Sequence, residues 1–324
     1  MTIDTTRKEL SGYTAVSPTT IHGWPAIFFS LPFMAAGIFI VLLSLNIIPC
    51  PDEKFHVSRN MVAGIGGMFF LAGFWVLIYG IKSQLQALET RRLIQQNPSH
   101  SWLADYRWDP RQISDHALGQ VIQNFLSMIV FAGFIAFFHV IFFSVGKKDV
   151  WFVSIVLGIF DLVIVALFIN CVYLFIRFKK YGTSVLIFNQ FPFFLGDKLD
   201  VVLQTEHPVE GCQNLQVSLR FVEERYETRG TGKDRYSVVV LYQIYQDDLI
   251  IPEPRRYEAN ERSLRVPISL TLPKETEYAT CLSQFPPRYW QLEIKAQTPG
   301  VDYGVRFLVP VYSTSSHREA EKKD

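Results

Sequence analysis

Residues 151–176 read WFVSIVLGIFDLVIVALFINCVYLFI, an apolar run interrupted only by Asp161 and Asn170. About 20 helical residues cross a hydrocarbon core, and buried helices of soluble proteins rarely run so long with so little charge. Three similar runs precede it. Ala26 to Ile48 is polar only at Ser30, Ser44 and Asn46; Met61 to Ile81 has no charge; Phe125 to Val145 is polar only at Ser127, His139 and Ser144. Four spanning helices are the expectation. The first run is too long for a signal-peptide core of about 7–15 residues. It ends Ile47-Ile48-Pro49-Cys50-Pro51 without a small-residue cleavage site, so it reads as an anchor that stays. Trp24, Trp75, Tyr79, Trp151 and Tyr173 fall near helix ends, where amphipathic rings favour the membrane interface.

Composition agrees with this reading. Of 324 residues 49% are hydrophobic, 15% are aromatic with 27 Phe, and only 19% are charged, against roughly 25% in soluble domains. The net charge of +1 hides a split: residues 1–182 carry 14 basic and 10 acidic side chains, residues 183–312 carry 14 and 17. These values exclude a disordered chain, a collagen, a disulfide-dense secreted module and a nucleic-acid binder with a strong basic field.

Lys and Arg counts near helix ends set orientation. Ten lie on one side: Arg7, Lys8, Lys82, Arg91, Arg92, Arg107, Arg111, Arg177, Lys179 and Lys180. Four lie on the other: Lys54, Arg59, Lys147 and Lys148. The expectation is a multi-pass protein of the bacterial inner membrane with both termini and the C-terminal domain cytoplasmic.

Within the helices, Gly66, Gly73 and Gly80 repeat every seven residues and share a helix face, with Ala63 and Gly67 as a further small pair. Small residues let helix backbones approach closely in lipid. The stripe predicts packing within the bundle or, alternatively, a docking face for another membrane protein. His139 and Asp161 are the only ionisable groups inside the four runs. Counted from the turn near residue 148, their depths differ by about 4 Å, so they can meet across a hairpin. Such a pair serves as a hydrogen-bonded clip fixing helix register, or as a proton or ion site with Asp161 as carrier.

Residues 82–124 are too long for a simple connector. Lys82 to Gln96 reads as the second helix continuing into water until Asn97-Pro98. Trp102, Tyr106 and Trp108 follow within seven residues, too much aromatic surface to leave in water. They are candidate docking residues, for the soluble domain or for a partner.

After Lys180 the period becomes two. Leu215, Val217, Leu219 and Phe221 alternate with polar residues, as do Val266, Ile268, Leu270 and Leu272, then Trp290, Leu292, Ile294 and Ala296 against Gln291, Glu293, Lys295 and Gln297, then Tyr303, Val305, Phe307, Val309 and Val311. With Thr183–Phe188, Lys198–Gln204 and Tyr236–Tyr245 this makes about seven strands, each with one buried and one wet face. Seven short strands with Pro and Gly turns predict a β-sandwich. The fold class is therefore α+β, a four-helix transmembrane bundle followed by an all-β sandwich. The expected divisions are an N-terminal cytoplasmic tail 1–25, helices one and two 26–81, an aromatic loop 82–124, helices three and four with a basic segment 125–182, the sandwich 183–312, and a disordered charged tail 313–324.

The sequences Val266-Pro-Ile268-Ser-Leu-Thr-Leu-Pro273, Pro286-Pro287-Arg-Tyr-Trp290-Gln-Leu-Glu-Ile-Lys-Ala296 and Pro310-Val311-Tyr312 resemble arrestin-like and related Ig-like sandwiches. The larger arrangement, with W-x-x-x-Y-x-W-D at Trp102–Asp109 and A-x-x-P-G-V-D-Y at Ala296–Tyr303, is similar to an uncharacterised group of bacterial inner-membrane proteins. The resemblance implies four helices and a C-terminal β domain, and no activity.

No catalytic motif is present. Cys50, Cys171, Cys212 and Cys281 form no C-x-x-C, and the seven histidines lack paired ligand spacing. Cys212 and Cys281 are small core residues in a cytoplasmic domain and a disulfide candidate in a periplasmic one. Glu223-Glu224 and Asp247-Asp248 read as solvated strand ends rather than catalytic dyads. No cofactor, metal or nucleic-acid partner is expected. The functional expectation is a membrane-anchored interaction or accessory protein whose sandwich binds a protein partner or a second copy. The alternatives are a proton- or ion-coupled protein built on His139 and Asp161, and a periplasmic sensor.

Overall fold

A computed structural model describes residues 8–10, 13, 23–49, 58–96, 102–145, 151–230, 235–252, 258–260, 263–283 and 286–313. Cys50, Lys54, Lys147, Lys148 and the tail beyond residue 313 lie outside the described residues. The chain forms two compact units, Thr20–Arg92 with Phe125–Ile169, and Met1–Thr19 with Leu93–Asn124 and Asn170–Asp324.

The first unit is helical. Its elements are α1 (Trp24–Ser44), most of α2 (Arg59–Gln96), and the greater parts of α4 (Ala117–Val145) and α5 (Trp151–Tyr181). All four helices are long and apolar enough to cross a membrane. Pro25 opens α1 where its missing N–H costs nothing. Ser30 and Ser44 donate to the Ile27 and Val41 carbonyls at 2.6 and 2.7 Å, which keeps their hydroxyls satisfied within an apolar helix. Most apolar side chains of these helices are exposed, including Trp75, Val130, Trp151 and Leu162. So continuous an apolar surface is costly to leave in water.

The glycine stripe of α2 faces α1. A Cβ on Gly66 would stand 2.7 Å from the Gly37 carbonyl oxygen, one on Gly73 3.0 Å from the Ser30 carbonyl oxygen, and one on Gly80 3.1 Å from the Ala26 Cβ. Around Gly67 there is open space, so Gly67 takes no part in this contact. Phe33 and Phe69 stack beside it, centroids 6.2 Å apart.

The second unit is built on strands. They are β1 (Lys8–Glu9), β2 (Gln112–Ser114), β3 (Ser184–Phe188), β4 (Phe193–Phe194), β5 (Lys198–Thr205), β6 (Asn214–Arg229), β7 (Tyr236–Pro252), β8 (Glu258–Asn260), β9 (Ser263–Thr271), β10 (Arg288–Ala296), β11 (Tyr303–Val309) and β12 (Val311–Tyr312), with a one-turn helix α3 (Trp102–Asp105). One antiparallel sheet runs β1-β7-β6-β10-β11, the other β2-β3-β5-β9-β8, and β12 pairs β4 in parallel. The two five-stranded sheets share one core, to which every apolar set named from the period-two pattern contributes: Leu215 to Phe221, Val266 to Leu272, Trp290 to Ala296 and Tyr303 to Val311.

The sequence pattern errs on the outer face of the first sheet. That face is not wholly wet. Val222, Leu241 and Tyr289 form a second apolar cluster there, covered by Leu10, Tyr13, Leu282 and Leu308. Glu223 and Glu224 are buried rather than solvated. The Tyr289 hydroxyl donates to Glu224 at 2.9 Å, and Arg225 reaches Glu223 at 3.2 Å. The cause is a register irregularity between Phe221 and Val222, combined with the N-terminal residues laid over the sheet.

Candidate functional site

Three segments remote in sequence are fastened to the β unit, and the second and third border a cleft. The first is N-terminal. β1 adds to the β7 edge, pairing Lys8 with Gln243 and Glu9 with Tyr242, and Leu10 N–H donates to the Leu241 carbonyl at 2.9 Å. This carries Tyr13 to Glu293. The Tyr13 hydroxyl donates to Glu293 Oε2 at 2.8 Å, and its ring lies 3.9 Å from the Arg306 guanidinium.

The second segment is the aromatic loop. β2 pairs β3, setting Ile113 opposite Leu186. Trp102 is buried, 6.3 Å from the Phe194 ring and 6.0 Å from that of Tyr312. Trp108 Nε1 donates to the Tyr312 hydroxyl at 3.1 Å, and Tyr106 packs on Trp108 at 4.7 Å. Asp105 accepts from the Ser283 amide at 3.2 Å and hydroxyl at 2.5 Å; burial pushes its carboxyl above the ordinary range against those bonds. Trp102 is thus occupied by its own domain, while Tyr106 lines the cleft.

The third segment is the end of α5. Lys180 Nζ donates to Thr298 Oγ1 at 3.1 Å and to the Pro299 and Val301 carbonyls at 2.7 and 3.1 Å. The Tyr181 hydroxyl bonds the same turn at Thr298 and Val301. Gly182 stops the helix at φ +65°, where a Cβ would strike the Glu206 side chain. The turn that receives α5 is the Pro-Gly-Val-Asp stretch noted in the sequence.

The cleft measures about 680 Å³ and is walled by the start of α4, the last turns of α5 and the strands β10 and β11. Glu293 holds its electrostatic centre. It is 2% exposed, and Arg220 approaches to 2.6 Å, Arg306 to 2.9 Å and Lys295 to 3.0 Å. Burial alone would raise this carboxyl. Tyr13, Lys295, Arg306 and Arg220 outweigh burial and hold it down, at about 2. Three cations therefore share one carboxylate. Asp115, across the cleft, accepts from the Ala117 and Ser184 amides at 3.2 and 3.3 Å and faces Arg177; burial lifts its carboxyl. Asp302 is taken by the Thr298 amide at 3.1 Å. The arrangement offers charge and hydrogen bonds for recognition. Among the described residues no group of three or more His, Cys, Asp and Glu could hold a metal ion.

The sequence-predicted intramembrane pair lies in the helical unit. His139 Nε2 is 3.1 Å from both Asp161 Oδ1 and Oδ2, with the side chains 31% and 49% exposed. Gly66, Gly73 and Gly80 are brought against α1 as described. Cys171 and Cys212 are buried and Cys281 is half-buried.

Sequence reading missed Tyr13, Arg220, Lys295 and Arg306 as a constellation around Glu293. Glu293 and Lys295 do stand on one face of β10 by period. Arg306 joins them only through the β10–β11 register, which sets it opposite Glu293.

No protein-family profile and no curated protein matches the chain. Among solved structures it is similar to Spo0M, a sporulation control protein from Bacillus subtilis, at 12% identity over 43% of this chain and 54% of that one, with TM-score 0.28. It is also similar to a DUF4466 family protein from Parabacteroides merdae, at 10% identity over 40% and 44%, with TM-score 0.20. The chain spans about half the length of each of these structures.

Proposed function

We propose that this chain is a membrane-anchored binding protein of the bacterial inner membrane. Four helices form a transmembrane bundle, and a cytoplasmic β-sandwich holds a protein partner. One observation carries the reading. Lys8–Leu10 with Tyr13, Trp102–Asp115 and the described residues from Lys180 on are all built into one β unit, yet long apolar helices separate them. If these helices cross the bilayer, the crossings between consecutive segments must be even in number, and α1 with α2, then α4 with α5, supply two each. The ten-to-four Lys and Arg asymmetry favours the cytoplasm for that side. Likeness to the bacterial inner-membrane group belongs to the same proposal.

Reporter fusions after Asp324 test sidedness: a cytoplasm-dependent reporter is expected to be active and a periplasm-only reporter silent. The reverse would make the sandwich a periplasmic sensor. Affinity purification in gentle detergent at native expression tests partnership. The expected result is a stoichiometric protein lost when 183–312 is deleted; purification of the chain alone sinks the accessory reading.

A second reading rests on the 3.1 Å His139–Asp161 contact in otherwise apolar helices. It makes the helical part proton- or ion-coupled. Asp161→Asn should then abolish flux in reconstituted vesicles while insertion persists. Loss of insertion instead would assign the pair to a structural clip.

A further inference from the structure

We propose that the free edge of β11 is a strand-addition site, where an extended segment of a protein partner joins the first sheet by way of the cleft. The inference rests on the partner-binding reading above and names where that partner docks. Residues 304–308 line the cleft one after another. Val305 and Phe307 send their side chains into the sandwich core, whereas Arg306 pairs with Glu293 and Leu308 packs against the outer apolar cluster. A strand turns successive side chains to opposite faces, so consecutive residues share one cleft only along the strand's edge. β10 shows the contrast: Gln291, Glu293 and Lys295, all on one face, line the cleft, while Leu292 and Ile294 between them do not.

β11 ends its sheet, with β10 on one side and no strand on the other. Among the described residues no backbone hydrogen bond leaves residues 304–308 on the side away from β10. Alternate residues of a strand point N–H and C=O to the same side, so these five offer the cleft about two or three donor and acceptor sets. Such a row is a template for another chain. The opposite edge of the same sheet already carries an added strand, β1 on β7. Charge narrows the choice of occupant. Asp115, Glu293 and Asp302 balance Arg177, Lys295 and Arg306 along the lining. The carboxylates are already bonded, Asp115 and Asp302 to backbone amides and Glu293 to Lys295 and Arg306. A lining so balanced selects no ion; what it offers is main chain, which an extended peptide pairs. The added strand continues the pleat of β11. One set of its side chains points the way of Val305 and Phe307, toward the core margin where Ile113 packs, and the other lies beside Arg306. The partner segment is therefore one that alternates apolar and polar residues.

The test pans a phage-displayed library of random short peptides on the detergent-purified full chain. Enriched peptides are then measured by fluorescence anisotropy and by hydrogen–deuterium exchange of the chain. Peptides alternating apolar and polar residues are expected to bind and to slow amide exchange within residues 303–309. Methylating one alternate set of peptide backbone nitrogens should weaken binding about tenfold or more, as for the loss of two or three hydrogen bonds. Methylating the other set, turned away from β11, should leave binding nearly unchanged. Equal tolerance of both sets, protection elsewhere than β11, or a library that yields no binder overturns the site. Protection of residues 303–309 that rises with the chain's own concentration assigns the edge to a second copy and overturns the partner assignment. If a stoichiometric protein recovered in gentle detergent leaves residues 303–309 exchanging as in the free chain, the edge assignment fails while the partner-binding reading stands.

Discussion

Glu293 gathers four donors from four places in the chain: Tyr13, Arg220, Lys295 and Arg306. A buried carboxylate so surrounded prefers its ionised form, and its pKa is lowered from 4.5 to about 2. The sign follows. A depressed folded-state pKa gives stability that is complete above the unfolded value and lost as pH falls from about 4.5 toward 2. Glu293→Gln is therefore expected to lower the thermal midpoint of the β unit at neutral pH, with the gap to wild type closing through that acidic window. Tryptophan-fluorescence melts at several pH values measure it, Trp290 being buried in the adjacent core. A gap independent of pH would show that the carboxylate's charge is not what the cluster needs.

At the scale of elements, the glycine stripe of α2 is a contact surface for α1. Gly73→Leu would drive a side chain into Met34 and the Ser30 carbonyl, where a Cβ already stands 2.8 and 3.0 Å away. Overpacking of this kind costs about 1–3 kcal/mol. The expected outcome is a lower thermal midpoint and a broadened size-exclusion profile in detergent. Gly67→Leu, entering open space, should match wild type. If both variants behave alike, the stripe does not pack α1 against α2. The heptad spacing of these glycines was legible, as were the inward sets of β6, β9, β10 and β11, because each repeats over four or more residues. β1 and β2 were not legible. Two or three residues hold no period, and each is held by pairing along the edge of another strand, β1 on β7 and β2 on β3. The cleft shares that limit. Glu293 and Lys295 could be placed on one face, but Arg306 and Tyr13 reach Glu293 through strand register and through a segment docked from far along the chain.

At the scale of the whole molecule, the β unit is assembled from both ends of the sequence and from the central loop. Removing residues 1–13 should leave the four apolar helices and their insertion untouched while baring Val222, Leu241 and Tyr289. The expected result is unchanged retention in carbonate-washed membranes, a lower melting temperature of the β unit and increased binding of a hydrophobic dye. An unchanged melting temperature would show that the N-terminal residues merely rest on the sheet.

The strand–Tyr13 contact also imposes an order on biosynthesis. Tyr13 and Glu293 are 280 residues apart, which at about 5–20 residues per second is roughly 15–55 s of translation. Tyr13 is made before the four apolar helices and Glu293 only after them. The clasp can therefore close only late in synthesis and, on the membrane reading proposed above, only if the leading helix entered the bilayer in the right direction. A chain threaded backwards would strand its N-terminus across the membrane, leaving the outer-face apolar cluster bare for quality-control proteases to find.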